Sequence, residues 1–254
     1  MTVLLMRLAG PLQSWGASAR FARRGTENAP TKSGVLGMLA AAQGRGRSTP
    51  VDDLAALRFG VRIDQPGDRL RDYQTAKHQV SQKSMPVSER FYLADAVFVA
   101  AVEGDAELLA ELHRALLAPV FLPFLGRRSC PPARPVDMGP PRTGELEGVL
   151  AGAEWQASSW YRRREERRRP YGEAPQEPRL ELLIETVGAE QPDRTIRDLP
   201  ESWDDNHRRY ALRGVRSRQV ARPGVPDHDP TALLTAVDAA DGTAAPGAAD
   251  PWPR

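Results

Sequence analysis

The sequence predicts an α+β fold, and three observations carry that prediction. Short apolar runs bounded by Gly and Pro read as strands. Two longer segments have helical spacing and recognisable caps. The two kinds of element follow one another in the order strand, helix, strand, paired strands, helix, loop, strand. A chain of 254 residues, 41% of them hydrophobic, is long enough to bury a real core.

Taken in order, Thr2 to Leu8 is apolar and followed by Gly10-Pro11, which predicts a buried strand ending in a turn. Residues 16–30 are polar and irregular. Thr31 suits an N-cap, Lys32 to Gln43 a helix, and Gly44 the left-handed position after it. Gly34 and Gly37 weaken that helix, so another backbone or side chain is expected to approach closely there. Val51 to Ala56 reads as a short helix. Leu57 to Asp64 alternates, with Phe59, Val61 and Ile63 against Gly60, Arg62 and Asp64, which suits a strand.

Arg71 to Ala76 and Arg90 to Val102 predict a long hairpin spanning about 71–102, with a polar, mobile tip over 77–89. Glu107 to Ala118 places Leu108, Leu109, Leu112 and Leu116 at helical spacing and ends at Pro119. Residues 121–134 form a Gly/Pro-bounded loop, and residues 135–178 give no clear periodicity. Arg179 to Val187 reads as a strand, with a short basic strand near Arg208 to Val215. The order matches a ferredoxin-like β-α-β-β-α-β core with a decorated C-terminal part, the architecture of the RNA-recognition motif. Residues 1–222 are expected to form that domain. Residues 223–254, rich in Ala, Asp, Gly and Pro, are expected to be an acidic, disordered tail.

The formal charge of +2 hides an asymmetry: the tail has five Asp against one Arg and carries −4, so residues 1–222 carry +6. Of the 35 basic residues, 32 are Arg and three are Lys. Arg suits bidentate phosphate contacts and stacking on bases, although GC-rich coding also raises its frequency. The lone cysteine, Cys130, excludes an intramolecular disulfide and a Cys-rich zinc site. Met1 leads straight into a strand-like run without a basic leader, and no apolar stretch approaches the roughly 18 residues of a membrane helix. A cytoplasmic protein with no membrane contact is expected.

Several motifs bear on chemistry. Lys32-Ser33 opens a helix, yet Gly25 stands seven residues before Lys32 and Thr31 occupies the second glycine position of a phosphate-binding loop. Nucleotide hydrolysis is excluded on that spacing. Phosphate binding by the helix N-terminus and an ordinary capped helix both fit. Trp15 suits core burial better than base stacking. Arg127-Arg128-Ser129, held between Gly126 and Pro131, suits a grip on consecutive phosphates. The run from Arg162 to Arg169, six Arg and two Glu, is either a solvated face or a nonspecific backbone-binding patch. His78, His113, His207 and His228 show no metal-ligand spacing, and no metal or cofactor is expected. Lys77-His78 near Tyr73 leaves metal-independent RNA cleavage as an alternative, in which a base takes the 2′-hydroxyl proton.

Four blocks together carry a family resemblance. They are Arg7-Leu8-Ala9-Gly10-Pro11-Leu12-Gln13-Ser14-Trp15-Gly16, Pro30 to Leu39, Leu70-Arg71-Asp72-Tyr73-Gln74-Thr75, and Phe124-Leu125-Gly126-Arg127-Arg128-Ser129-Cys130-Pro131. In this order they resemble the CasD family, the fifth Cas subunits of type I-E CRISPR surveillance complexes called Cascade. The resemblance implies an RNA-recognition-like palm with a protruding hairpin thumb. It implies a noncatalytic subunit that binds the 5′ handle of the CRISPR RNA, beside CasC backbone subunits and the large CasA subunit, and meets target DNA only indirectly. On that reading Arg20, Arg23, Arg24, Lys32, Ser33, Arg127, Arg128 and Ser129 face the handle. Lys77, His78, Lys83 and Met85 lie on the thumb, with Met85 as a wedge where a nucleotide is flipped out. The related type I-C subunit cuts precursor RNA with tyrosine, lysine and histidine, types that Tyr73, Lys77 and His78 offer here.

Overall fold

The computed structural model describes residues 1–17, 23–46, 48–167, 178–204 and 207–224. Its elements, in chain order, begin with β1 (Thr2–Ala9), β2 (Leu12–Gln13), β3 (Arg23–Arg24), α1 (Lys32–Ala42), α2 (Asp52–Ala55), β4 (Arg58–Gln65), β5 (Asp68–Gln74) and β6 (Ser88–Ala94). They continue with β7 (Val97–Gly104), α3 (Ala106–Leu117), β8 (Arg142–Thr143), α4 (Leu146–Gly152), α5 (Ser159–Arg167), β9 (Arg179–Glu185), β10 (Arg194–Ser202) and β11 (Arg209–Ala221). Met1–Pro223 forms one unit. The acidic segment expected from 223 onward lies almost entirely outside the described residues, as does Arg20.

Seven strands make an antiparallel sheet in the order β10-β11-β9-β4-β7-β1-β8. The even residues of β1, Leu4, Met6 and Leu8, pack with α1 and α3 on one face. Its odd residues, Val3 and Leu5, pack with Val99, Ala101 and Leu146 and Leu150 of α4 on the other. Both faces of the central strands are therefore dry, which accounts for their continuous apolar runs. A smaller sheet holds β2, β6 and β3 in that order, with β5 paired to β6.

The expected strand from Arg90 to Val102 is two strands in two sheets. Asp95 adopts φ +55°, and this left-handed residue turns the chain between β6 and β7. Gly67 makes the matching corner between β4 and β5: at φ +73° a Cβ there would sit 2.6 Å from the Ala94 carbonyl oxygen. The hairpin is thus β5 with β6, in register from Asp68↔Ala94 to Gln74↔Ser88.

The helix ends follow their caps. The Thr31 hydroxyl accepts from the Gly34 amide at 3.3 Å, and Gly44 takes φ +77° beyond α1. Asp105 caps α3 by accepting from the Glu107 and Leu108 amides, both at 3.0 Å. Residues 135–178, unreadable in sequence, supply β8, α4 and α5. Of the two helical glycines, Gly34 meets the expected close approach, whereas nothing lies within 4 Å of a Cβ built at Gly37.

Polar residues of β4 are buried with its apolar ones. Arg62 and Asp64 are both buried and paired, with Nε to Oδ1 at 2.7 Å and Nη2 to Oδ2 at 3.0 Å. The Arg62 guanidinium also donates to the carbonyls of Leu150 at 2.7 Å and Glu154 at 2.7 Å, and to that of Ala153. It supplies donors to carbonyls at and just beyond the end of α4, where helix amides run out. Burial pushes the Asp64 carboxyl up from its ordinary value, and Arg62 opposes the shift. Arg62→Ala would leave the buried Asp64 carboxylate without its counter-charge, with only the Gln156 amide still donating to it, and would strip the guanidinium donors from the Ala153 and Glu154 carbonyls. It is expected to cost about 3–5 kcal/mol, read as a lower urea midpoint at unchanged slope.

Candidate nucleic-acid interface

The site is built around the start of α1. The Lys32 amide donates to Asp198 Oδ2 at 2.8 Å. Its side chain runs inward, only 2% exposed, and its Nζ lies 2.9 and 3.0 Å from the two Glu185 carboxylate oxygens. Glu185 Oε2 also accepts from the Phe59 amide at 2.8 Å. Asp198 is gripped by Arg213 through two bonds of 2.8 Å. Burial pulls the Lys32 ammonium below its ordinary value, and Glu185 opposes that shift. The expectation that Lys32 faces a handle is therefore corrected: its charge neutralises Glu185 inside the fold. The first free amide of the helix is likewise taken by the protein's own Asp198.

Ser33, one residue on, is half-buried and lines an open cavity of about 520 Å³. Trp15, fully buried as the core reading required, forms part of its floor. Its ring packs so tightly on α1 that a Cβ at Gly34 would lie 2.9 Å from Trp15 Cε3. The Trp15 indole donates to Gln13 Oε1 at 3.0 Å and its amide donates to Thr26 Oγ1 at 2.9 Å. This bracing positions the chain at Gly16 on the cavity rim.

The loop after α3 forms the facing wall. The Ser14 amide donates to the Leu125 carbonyl at 3.1 Å, and the Leu125 amide to that of Cys130 at 2.7 Å. Gly126 sits at φ +82°, where a Cβ would fall 1.8 Å from the Ser14 carbonyl oxygen, so only glycine fits. Arg127 then reaches across: Nη2 donates to the Arg24 carbonyl at 2.9 Å, and its guanidinium lies 4.8 Å from the Tyr92 ring centre. Arg128 and Ser129 are exposed beside it.

The cavity brings together Ser33, Arg24 and Arg127, all three named from the sequence as handle residues. It adds Arg208 and Tyr210, at the start of β11, which sequence reasoning missed. Their only sequence signal was a basic strand of uncertain extent. Among the described residues, no carboxylate lines this cavity. Arg23 is on the neighbouring β3, 77% exposed, with Nε 4.0 Å from Glu89 and its guanidinium over Phe91 at 5.3 Å.

The thumb candidates form a separate group. Lys77 bridges Ser84, the His78 amide donates to the Lys83 carbonyl at 2.9 Å, and the Met85 amide to that of Ala76 at 2.8 Å. Pairing thus continues past β5 and β6 into the tip. Lys77, His78, Lys83 and Met85 are all exposed, Met85 to 50%. His78 Nδ1 accepts from the Ser81 amide at 3.1 Å, so the ring helps shape the turn.

A cavity lined, among the described residues, by three arginines and no acid suits a polyanionic ligand. The comparisons with known proteins agree with that class. Residues 3–216 match the family model described as CRISPR-associated protein (Cas_Cas5). The chain therefore belongs to the Cas5 family of CRISPR-associated proteins. It is 34% identical over 180 residues to the CRISPR system Cascade subunit CasD of Escherichia coli (strain K12), covering 59% of this chain and 76% of that one. A crystal structure of a Cas protein matches with a TM-score of 0.67 at 37% identity, covering 88% of this chain and 99% of the other. A chain of a CRISPR RNA-guided surveillance complex matches with a TM-score of 0.72 at 32% identity, covering 93% and 99%.

The buried charges beneath the cavity predict a specific sensitivity. Asp198→Ala strands Arg213 in the core and frees the Lys32 amide. It is expected to destabilise the fold by about 3–5 kcal/mol, whereas Arg128→Ala, at an exposed position, should stay within about 0.5 kcal/mol of wild type. Urea unfolding followed by tryptophan fluorescence measures both.

Proposed function

We propose that this chain is a noncatalytic RNA-binding subunit of a type I-E CRISPR Cascade, capping the 5′ handle of the CRISPR RNA. The observation that carries the reading is a cavity that joins Arg24 and Ser33 with Arg127, 103 residues after Arg24, and that no carboxylate lines among the described residues. The named relative, a Cascade subunit, and the structural relative, a chain of an RNA-guided surveillance complex, support it. Arg23, Arg24, Arg127 and Arg128 supply phosphate contacts, and the Ser33 and Ser129 hydroxyls supply further donors. Arg208 and Tyr210 join this set, Tyr210 offering a ring on which a base can stack.

The RNA-recognition-like palm is supported by the sub-order β8-β1-β7-β4, with α1 following β1 and α3 following β7. The thumb is the β5–β6 hairpin, whose exposed Lys77, His78, Lys83 and Met85 face a guide–target duplex. On this reading residues 1–222 form the RNA-binding domain and 223–254 an acidic appendage. The subunit works in the cytoplasm beside CasC backbone subunits and the large CasA subunit. It holds phosphates and shape while base pairing reads the target DNA.

Salt dependence tests the handle assignment. Arg127→Ala with Arg128→Ala is expected to weaken binding of a handle RNA and to flatten the plot of log affinity against log salt by about 0.7 per lost phosphate contact. Thermal melting run alongside separates lost contacts from lost folding, since Arg127 also braces the Arg24 carbonyl. Affinity and slope that match wild type would refute the assignment. Cleavage by Tyr73, Lys77 and His78 is the weaker reading. A labelled repeat RNA incubated with chelator should stay intact, and a specific product abolished by His78→Ala would reverse that judgement.

A further inference from the structure

The described part of the arginine run, Arg162 to Arg167, contributes nothing to the cavity at α1. Its described part lies on α5, which buries none of its residues. Trp160, Arg163, Arg164 and Arg167 stand at i, i+3, i+4 and i+7, so they share one helix face. All four are exposed, Trp160 to 41%. Glu165 and Glu166 fall off that face by the same spacing.

The face is held in place from beneath. Arg162 Nε donates to the Ala157 carbonyl at 2.9 Å, Nη2 donates to the Trp155 carbonyl, and the guanidinium lies 5.2 Å from the Trp155 ring centre. The Trp160 indole donates to Asp95 Oδ2 at 2.8 Å, which fixes the ring against the β6–β7 corner. Arg164 stacks at 5.3 Å from Trp160 and 5.1 Å from Tyr161. Its Nε is 4.0 Å from Glu165 Oε1, at the outer limit of an ion pair, and the Arg164 side chain remains 49% exposed. Arg163 and Arg167 have no ion pair with another described residue.

We infer that this face of α5 is a second nucleic-acid contact, for a single strand of no fixed sequence. A purely solvated face would not need an oriented, exposed tryptophan. A duplex would use the arginines but not the ring, because its bases are already stacked. A strand with unpaired bases uses both: phosphates on Arg163 and Arg167, a base on Trp160 with Arg164 beside it. A protein partner is disfavoured because Trp160 is the sole apolar side chain on the face, too little for the dry centre of an interface. The inference does not rest on the handle assignment, and its test uses probes that lack a handle.

The full chain is titrated against fluorescein-labelled homopolymers of deoxythymidine and of uridine, each about 15 nucleotides long, by anisotropy between about 50 and 200 mM salt. Trp160→Ala is expected to weaken binding at least about fivefold, with Trp160→Phe retaining most of it. Arg163→Ala with Arg167→Ala should lower the salt slope by about 0.7 per arginine. Arg114→Ala, at an exposed position on α3 outside both sites, should leave homopolymer affinity within about twofold of wild type. Tighter binding of either homopolymer supports the inference and tells a DNA strand from an RNA strand. It is overturned if wild type does not bind either probe, or if the α5 variants bind as wild type does. Loss with Trp160→Phe equal to that with Trp160→Ala also overturns it. So do α5 variants that keep homopolymer affinity but no longer co-purify with other complex subunits, which would mark a protein interface.

Discussion

The rest of the structure hangs on four paired charges beneath α1, of which Lys32, Asp198 and Arg213 are buried and Glu185 is half-buried. Lys32 faces Glu185, and Arg213 grips Asp198, which in turn accepts the Lys32 amide. Each charge would be prohibitively costly to bury alone, so all four partners must arrive together. They come from the first helix and from β9, β10 and β11, more than 150 residues later in the chain. The pairing therefore locks the C-terminal strands to the N-terminal corner. Arg213 also lies 5.3 Å from the Phe59 ring centre, which ties the same cluster into the sheet core.

The electrostatics of the cavity follow from this arrangement. Glu185 and Asp198 are spent on inward partners, and Asp64 is spent on Arg62 on the opposite face of the sheet. Withdrawing carboxylates to the interior leaves the rim to Arg24, Arg127 and Arg208. Among the described residues, arginines and no carboxylate therefore line the cavity of a chain whose formal charge is nearly balanced. The rim is rigid for reasons of close packing: Trp15 against Gly34 and Gly126 against the Ser14 carbonyl leave no room for a side chain at either glycine.

Local signals made part of this legible. The bounds of α1 were written in Thr31 and Gly44, and those of α3 in its leucine spacing and Pro119, because caps and breakers act over one or two residues. Gly126-Arg127-Arg128 was legible as a shaped loop for the same reason. β10 was not, because Asp198 and Pro200 interrupt any strand pattern, and only the Arg213 partner explains why an aspartate sits there. The break between β6 and β7 was hidden because Asp95 is an ordinary polar residue until its backbone turns left-handed. The α4 region lacked a signal because seven residues are too few for a period to show.

By itself the sequence determined the local elements, the family blocks and the excess of arginine over lysine. These depend on neighbours in the chain and on composition. Only the tertiary structure decided which charges face water. Lys32 and Arg127 looked alike as cations near glycines, yet one neutralises Glu185 in the core and the other reaches over the cavity rim. Arg208 and Tyr210 entered the cavity for the same reason. Whether a charge is buried depends on what packs above it, and those partners lie on strands whose place in the sheet no short stretch of sequence records.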